Sequence, residues 1–168
     1  LAILDRMETA LAHRGPDGSG RYAQGDTVIL QTRLAIIDLE TGDQPFVLNG
    51  NRGPKALVAN GEIFNYRELY SALSGVKFST ASDCEVPLHL YDRDGTRYAE
   101  ALRGMYAVAI HDASTEHLVL TRDPFGIKPL YYVETDTAFA FASEPQALIR
   151  SGLVTVEENA DALHELFQ

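Results

Sequence analysis

Cysteine, cationic residues and long apolar runs are all scarce in this sequence. Its single cysteine, Cys84, excludes an internal disulfide framework and is compatible with a reducing compartment. A membrane-spanning helix needs roughly 20 consecutive apolar residues, and no run approaches that length. No basic and apolar leader with small residues at its end is visible. These shortages favour a cytoplasmic protein that does not enter a membrane.

Positive charge is limited to 14 Lys and Arg against 24 Asp and Glu, which gives a formal net charge of −10. Phosphate backbones attract basic faces, so neither nucleic acid nor an anionic membrane is an expected partner. The sequence contains no phosphate-cradling GxxxxGK[ST] loop and no GxSxG elbow. The histidines lack paired ligand spacing, so no metal site is expected.

The order of apolar patterns predicts an α+β fold. With 168 residues, of which 45% are hydrophobic, the chain suits one domain. Helical spacing opens the chain, and strand-like runs follow in two clusters separated by two helices. The expected strands cover residues 28–31, 34–38, 56–59, 105–110, 117–122, 130–133 and 138–142. Clusters of strands without a βαβ rhythm favour antiparallel sheets covered by helices.

Two helix starts are predicted from their capping residues. Asn65 precedes Glu68 by three positions, and Ser82 precedes Glu85 by three, which is the spacing of a capping box. A last helix is expected to begin after residues 143–145 (SEP) and to end at Gly152. Both chain ends resemble cuts within structural elements, because the first residues are already in helical periodicity.

Three polar features interrupt otherwise apolar stretches: Arg33, the triplet at residues 60–62 (NGE), and Asp83 at a helix start. Each has an ordinary structural explanation. Arg33 can pair with Asp38, the triplet can form a tight turn, and Asp83 can interact favourably with a helix dipole.

Together, however, these residues suit a free amino acid. A guanidinium such as Arg33 binds a carboxylate through two parallel hydrogen bonds, and a carboxylate such as Asp83 can hold an ammonium group. The side-chain amide of Asn60 and the backbone N–H of Gly61 can donate to the oxyanion of a tetrahedral intermediate. Glycine suits such a position because a substrate must approach the backbone closely. The set predicts a site that binds an amino acid and attacks its side chain.

Five sequence blocks occur in order within residues 1–152, at residues 13–17 (HRGPD), 33–38 (RLAIID), 60–65 (NGEIFN), 82–85 (SDCE) and 122–132 (RDPFGIKPLYY). They resemble the signature blocks of class II glutamine amidotransferases, which are N-terminal-nucleophile hydrolases. The RGPD wording, with residues 142–144 (ASE), is most similar to glutamine-hydrolysing asparagine synthetases. The resemblance implies a four-layer αββα sandwich, in which two antiparallel sheets lie between helix layers.

The resemblance also implies roles for individual residues. Asn60 and Gly61 would form the oxyanion hole, and Asp83 would bind the α-amino group of glutamine with help from Glu62. Arg14 would lie near the nucleophile and favour its thiolate. The α-carboxylate of glutamine would be bound by Arg33, with one side of the pocket lined by Leu34, Ala35, Ile36 and Ile37.

The attacking group in that family is an N-terminal cysteine whose own α-amine is the general base. This sequence begins downstream of the expected position of that cysteine and its strand, and Cys84 is internal. The chain as given is therefore expected to be inactive. The cysteine can belong to the full protein outside this sequence, or the natural protein can lack it. In the second case the domain would be a non-catalytic scaffold of an ATP-dependent amide- or lactam-forming synthetase. A different amidotransferase of the same superfamily is the third alternative.

Partners and cofactors follow from the same resemblance. L-glutamine is the expected ligand, and ammonia would pass to a C-terminal synthetase domain that converts aspartate to asparagine. ATP and Mg²⁺ are expected in that domain, and no cofactor or metal in this one. Residues 1–152 are predicted to be the amidotransferase domain, and residues 153–168 to begin a linker or helix towards the synthetase. A homodimer is an open alternative.

Overall fold

The computed structural model describes residues 2–34, 42–50 and 53–157. Its central element is a four-stranded antiparallel sheet of order β3-β4-β5-β6. Gly50 lies opposite Gly53 in the β3–β4 hairpin, and Lys55 opposite Asp112 in the β4–β5 ladder. The strands are β3 (Phe46–Gly50), β4 (Gly53–Ile63), β5 (Gly104–Asp112) and β6 (His117–Arg122).

Two separate antiparallel ribbons make up the second strand layer. The first pairs β1 (Gly18–Gln24) with β2 (Thr27–Arg33), and the second pairs β7 (Tyr131–Glu134) with β8 (Phe139–Ala142). Within the described part of the chain, β2 pairs only with β1, and β8 only with β7. Each ribbon therefore has two outer edges that no described strand covers, and those of β2 and β8 are the ones that border the cavity described below.

Four helices cover the two strand layers: α1 (Ala2–Leu11), α2 (Tyr66–Ala72), α3 (Val86–Asp94) and α4 (Pro145–Ser151). A short 3₁₀ helix, Asp83–Glu85, leads directly into α3. None of the helices in the described ranges is long and apolar enough to span a lipid bilayer.

Three buried clusters establish the order of the layers. Side chains of α2 and α3 pack on one face of the central sheet, where Leu57 and Ile63 of β4 are buried. The opposite face presents Ala56 and Val58 to Ile29 of β2. Outside the ribbons, α1 packs on α4 through a cluster that includes Met7, Leu11, Ala147 and Leu148. The alternation along β4 produces this division, since successive side chains of a strand point to opposite faces. The predicted α+β architecture with four layers is confirmed.

Most of the predicted strands are also confirmed, including all those between residues 105 and 142. The predicted strand at residues 34–38 is the exception. Leu34 follows the end of β2 in an irregular conformation, and the other four residues lie outside the described ranges.

The capping predictions are only half right. The Ser82 hydroxyl accepts a hydrogen bond from the Cys84 N–H at 3.3 Å, as an N-cap should. Glu85 does not complete the capping box, because its carboxylate accepts from the N–H groups of Ser79 (2.8 Å) and Thr80 (2.7 Å). Burial opposes the ionisation of Glu85, yet the hydrogen bonds from His89, Ser79 and Thr80 hold its pKa below the usual value.

Asn65 does not cap α2 with its side chain, although it occupies the N-cap position. Its Nδ2 donates to the carbonyl of Ala101, and its Oδ1 accepts from the N–H of Arg103, each at 2.9 Å. The amide thus fastens the start of α2 to the chain that enters β5, a long-range contact that sequence spacing does not report.

Candidate active site

A cavity of about 960 Å³ lies between the central sheet and the two ribbons. All residues of β2 and of β8 border it, as do residues of α1, β4 and β5. The predicted site residues that line this cavity are Arg33, Leu34, Asn60, Gly61, Glu62 and Asp83. The predicted lining residues Ala35, Ile36 and Ile37 lie outside the described ranges.

The cavity is far larger than one amino acid requires, since pockets of roughly 300–1,000 Å³ hold drug-sized ligands. It follows β2 and β8 over their whole lengths, and no described strand pairs with the edge of β2 away from β1 or the edge of β8 away from β7. We therefore call the cavity the channel between β2 and β8. Its lining includes the polar residues 60–62.

Gly61 lies in β4 opposite Tyr106 of β5, with a φ of +150° that side chains rarely adopt. A Cβ at this position would lie 2.0 Å from the carbonyl oxygen of Met105 and 2.6 Å from the Cα of Tyr106. The glycine was predicted from the approach of a substrate. The structure provides a different reason, which is that the neighbouring strand leaves no room for a side chain.

Gly61→Ala is expected to lower the free energy of unfolding by about 1–3 kcal/mol, because the methyl group would meet backbone atoms that cannot rotate away. Gly18→Ala is the matched control, since no heavy atom lies within 4 Å of a Cβ there. Urea denaturation of both variants measures the difference. Equal stabilities would show that β5 yields at Gly61.

Asn60 precedes Gly61 and lies opposite Ala107. Its Nδ2 is buried and has no hydrogen-bond acceptor within the described residues. A buried amide donor without a partner costs about 1–3 kcal/mol, so such groups are uncommon unless they have a function. Asn60 therefore brings an unused N–H donor to the wall of the cavity.

Asp83 is 3% exposed at the start of the 3₁₀ helix before α3. Its Oδ2 accepts a hydrogen bond from the backbone N–H of Ile63 at 2.6 Å. This bond ties the end of β4 to the start of α3 and fixes the carboxylate beside the cavity. The sequence left open whether Asp83 stabilises a helix start or binds an ammonium group. The structure gives Asp83 a structural hydrogen bond and also places it at the cavity wall.

Cys84 lines the same cavity, but it is buried and its Sγ lies 3.6 Å from the Gly61 carbonyl oxygen. Burial raises the pKa of the thiol, and the negative charges of Asp83 and Glu62 raise it further. The Lys128 ammonium acts in the opposite direction and is outweighed. Cys84 is therefore protonated at neutral pH and does not provide a thiolate nucleophile.

Iodoacetamide at pH 8 is expected to alkylate Cys84 at least about 100-fold more slowly in the folded protein than in urea. The raised pKa leaves little thiolate, and the side chain is buried. Mass spectrometry of the tryptic peptide that contains Cys84 measures the rate. Equal rates in the two states would contradict the protonated, buried thiol.

Arg33 ends β2, and its backbone carbonyl accepts from the N–H of Asp17 at 3.0 Å. Its Nη1 donates to Oδ1 of Asp43 at 2.5 Å. The guanidinium is 11% exposed, whereas the Asp43 side chain is 82% exposed. The structural alternative for Arg33 had named Asp38, which lies outside the described ranges. The largely buried Arg33 guanidinium thus donates to a carboxylate whose own side chain is mostly exposed.

Arg14 borders the cavity and donates through Nη1 to Oε1 of Glu144 at 2.9 Å. His13 Nε2 lies 3.1 Å from the same oxygen. The hydrogen bond from Arg14 lowers the pKa of Glu144, with a smaller effect from His13. The RGPD and ASE blocks thus meet in space, a pairing that sequence reasoning missed. The stabilisation of a thiolate by Arg14 remains a prediction. In the structure the Arg14 guanidinium is paired with the Glu144 carboxylate.

Lys128 and Leu130 are further cavity residues that sequence reasoning did not single out. Both belong to the RDPFGIKPL block, which contributes to the family resemblance but was not given a functional role. The described residues include no group of three His, Cys, Asp or Glu side chains placed to hold a metal ion. The charged side chains at the cavity include the guanidiniums of Arg14 and Arg33, the Lys128 ammonium and the carboxylates of Glu62 and Asp83.

Sequence comparison identifies related proteins. A family model described as "Glutamine amidotransferase domain" matches residues 2–168. "Asparagine synthetase [glutamine-hydrolyzing] 2" of Bacillus subtilis is 40% identical over 146 residues, which cover 87% of this chain and 19% of that protein. "Probable asparagine synthetase [glutamine-hydrolyzing]" of Schizosaccharomyces pombe is 43% identical over 147 residues, covering 84% of this chain and 26% of that protein. The chain thus spans about a fifth to a quarter of these relatives.

Comparison of structures agrees with the sequence relatives. The glutamine phosphoribosylpyrophosphate amidotransferase of B. subtilis superposes with a TM-score of 0.76 at 26% sequence identity. The match covers 89% of this chain and 40% of that enzyme. Similarity therefore extends over nearly the whole chain in fold as well as in sequence.

Proposed function

This chain belongs to the glutamine amidotransferase domain family, and from that membership we propose that it hydrolyses glutamine within a larger asparagine synthetase. The observation that carries the proposal is that Arg33, Asn60, Gly61 and Asp83 line one cavity. Gly61 and Asp83 also have structural contacts, but a domain that was only a scaffold would have no need for the buried donor of Asn60, which the described residues leave unpaired. We propose aspartate as the acceptor of the ammonia, because these relatives are named asparagine synthetases.

The cavity suits glutamine in one orientation. The Arg33 guanidinium binds the α-carboxylate, in place of or beside the exposed Asp43 carboxylate that it contacts in the structure. Asp83, with Glu62, binds the α-ammonium. The side-chain amide carbon then lies near Asn60 Nδ2 and the Gly61 N–H, and these two donors stabilise the oxyanion of the tetrahedral intermediate.

The nucleophile is the N-terminal cysteine expected for this family, in a segment outside the present sequence. Its thiolate attacks the glutamine amide carbon, and its own α-amine holds the thiol proton and delivers it to the departing ammonia. Water then cleaves the thioester and releases glutamate. Two observations support a nucleophile from such a segment: Cys84 is a buried thiol with a raised pKa, and the channel between β2 and β8 has room for a strand.

Ammonia would then reach an ATP- and Mg²⁺-dependent domain that activates aspartate, in the cytoplasm. The part of each relative outside the match, about three quarters of its length or more, is large enough for such a domain. The proposed intact protein would therefore form asparagine from glutamine, aspartate and ATP. It would also do so from free ammonium, since the second reaction does not require this domain.

The test uses the intact protein from its native source. Its N-terminus is identified by mass spectrometry, and the release of glutamate from glutamine is measured with and without aspartate and ATP. A processed N-terminal cysteine with glutamine hydrolysis is the expected result. A different N-terminal residue, with amide synthesis from ammonium only, would instead establish the non-catalytic scaffold.

A further inference from the structure

The segment at residues 123–130 presents two apolar side chains to solvent. Phe125 is 86% exposed and Ile127 is 57% exposed. Neighbouring exposed apolar side chains are informative because contiguous apolar patches commonly mark interaction sites. We call residues 123–130 the apolar loop.

The apolar loop is held in one conformation by buried polar groups. The Asp123 carboxylate accepts from the backbone N–H groups of Phe125 (3.1 Å), Ile127 (2.9 Å) and Lys128 (3.0 Å). Burial opposes the ionisation of Asp123, but these donors outweigh it and hold its pKa below the usual value. The Arg122 Nε donates to the Lys128 carbonyl at 2.7 Å on the other side. The exposed side chains thus extend from a backbone that these hydrogen bonds hold in place.

The apolar loop lies at the end of the central sheet that carries the candidate active site. It follows β6 directly, and the N–H of Asp123 donates to the carbonyl of Tyr106, the residue opposite Gly61. Two of its residues, Lys128 and Leu130, line the cavity itself. Phe64, just beyond the end of β4 at the same end of the sheet, is 61% exposed. Exposed apolar side chains from two segments therefore lie at the end of the sheet that borders the cavity.

We propose that the apolar loop is the docking surface for the ammonia-accepting, ATP-dependent domain of the same polypeptide, with Phe125 as its central anchor. This inference rests on the proposed function. Buried aromatic side chains commonly contribute most of the binding energy of an interface. A rigid loop contributes further, because little conformational entropy is lost when it binds.

Two observations select this occupant over others. The matched region is 19% of one relative and 26% of another, so a protein of their length has a large covalently linked region that can cover the loop. The loop also borders the cavity from which ammonia would leave. A domain docked there receives ammonia directly, whereas a partner on another face would leave the cavity open to water.

Phe125→Asp in the intact protein tests the proposal, because it places a charge at the centre of the apolar surface. Glutamine hydrolysis is expected to stay within about twofold of the parent, since Phe125 does not line the cavity. Glutamine-dependent asparagine formation is expected to fall about tenfold or more, with the missing ammonia released into the medium. Synthesis from ammonium chloride is expected to be unchanged.

Val47→Asp is the matched control, because Val47 is a half-exposed apolar residue on the edge strand β3. Phe125→Ala provides a milder second variant if the aspartate variant is unstable. Unchanged coupling in the Phe125 variants would overturn the proposal. A second outcome would also overturn it. If light scattering shows that a Phe125 variant is a monomer where the parent is a dimer, while glutamine-dependent asparagine formation is unchanged, the surface binds a second copy of the protein. Absence of glutamine hydrolysis in the parent would instead overturn the proposed function.

Discussion

Replacement of Asn60 by alanine is expected to slow glutamine hydrolysis by about 10²–10³-fold, the usual effect of removing one oxyanion donor. The donor is already in place in the free protein, because Nδ2 is buried without an acceptor in the described ranges. A preorganised donor stabilises the transition state without reorganisation at the moment of reaction. The rate of glutamate release from the intact protein measures the effect.

Stability separates this catalytic role from a structural one. Because the described residues leave Asn60 Nδ2 unpaired, its removal breaks no hydrogen bond there and relieves an unsatisfied buried donor, so the free energy of unfolding should not fall by more than about 1 kcal/mol. Asn49→Ala, on the exposed edge strand β3, is the control and should retain full activity. Amide synthesis from ammonium should be unaffected in both variants. A rate of glutamine hydrolysis equal to that of the parent would remove Asn60 from the mechanism.

Arg33→Ala is expected to raise the KM for glutamine by about 10–100-fold, because hydrogen bonds to a charged and largely buried group contribute strongly to binding. The kcat should change much less, since the α-carboxylate is held alike in ground and transition states. Steady-state kinetics of glutamine hydrolysis measures both constants. Ammonium-dependent synthesis should remain at the level of the parent.

Two further variants sharpen the interpretation of Arg33. Arg33→Lys keeps the charge and loses the planar fork, so its KM should lie between those of the parent and the alanine variant. Arg93→Ala is the control, since Arg93 forms an exposed pair with Asp94 away from the cavity. Equal loss of glutamine-dependent and ammonium-dependent synthesis in Arg33→Ala would contradict a role in glutamine binding.

Local pattern and family resemblance predicted much of the fold and the site. Strands of the central sheet are apparent from apolar runs, because burial on both faces leaves a local signal at β4 and β5. The resemblance placed Arg33, Asn60 and Asp83 in one site, and the structure brings them to one cavity. Their proposed roles remain predictions.

The contacts that were missed join residues far apart in the chain. Asn65 looks like a helix cap in sequence, yet it finds partners more than 30 positions away. Arg14 and Glu144 are separated by 130 positions. Sequence spacing reports what a residue can do for its neighbours, whereas tertiary packing decides which of several donors or acceptors it meets. A further constraint on Gly61 was missed for the same reason, since it comes from the neighbouring strand β5.

The strand edges along the channel between β2 and β8 affect solubility as well as catalysis. Both strands present backbone N–H and C=O groups that no described strand pairs, and such rows are templates for association between chains. The proposed N-terminal segment, which would place the attacking sulfur near residues 60–62, would also form hydrogen bonds with these backbone groups. If the proposed segment carries the nucleophile, its loss would leave the protein both inactive in glutamine hydrolysis and prone to aggregation through these strand edges.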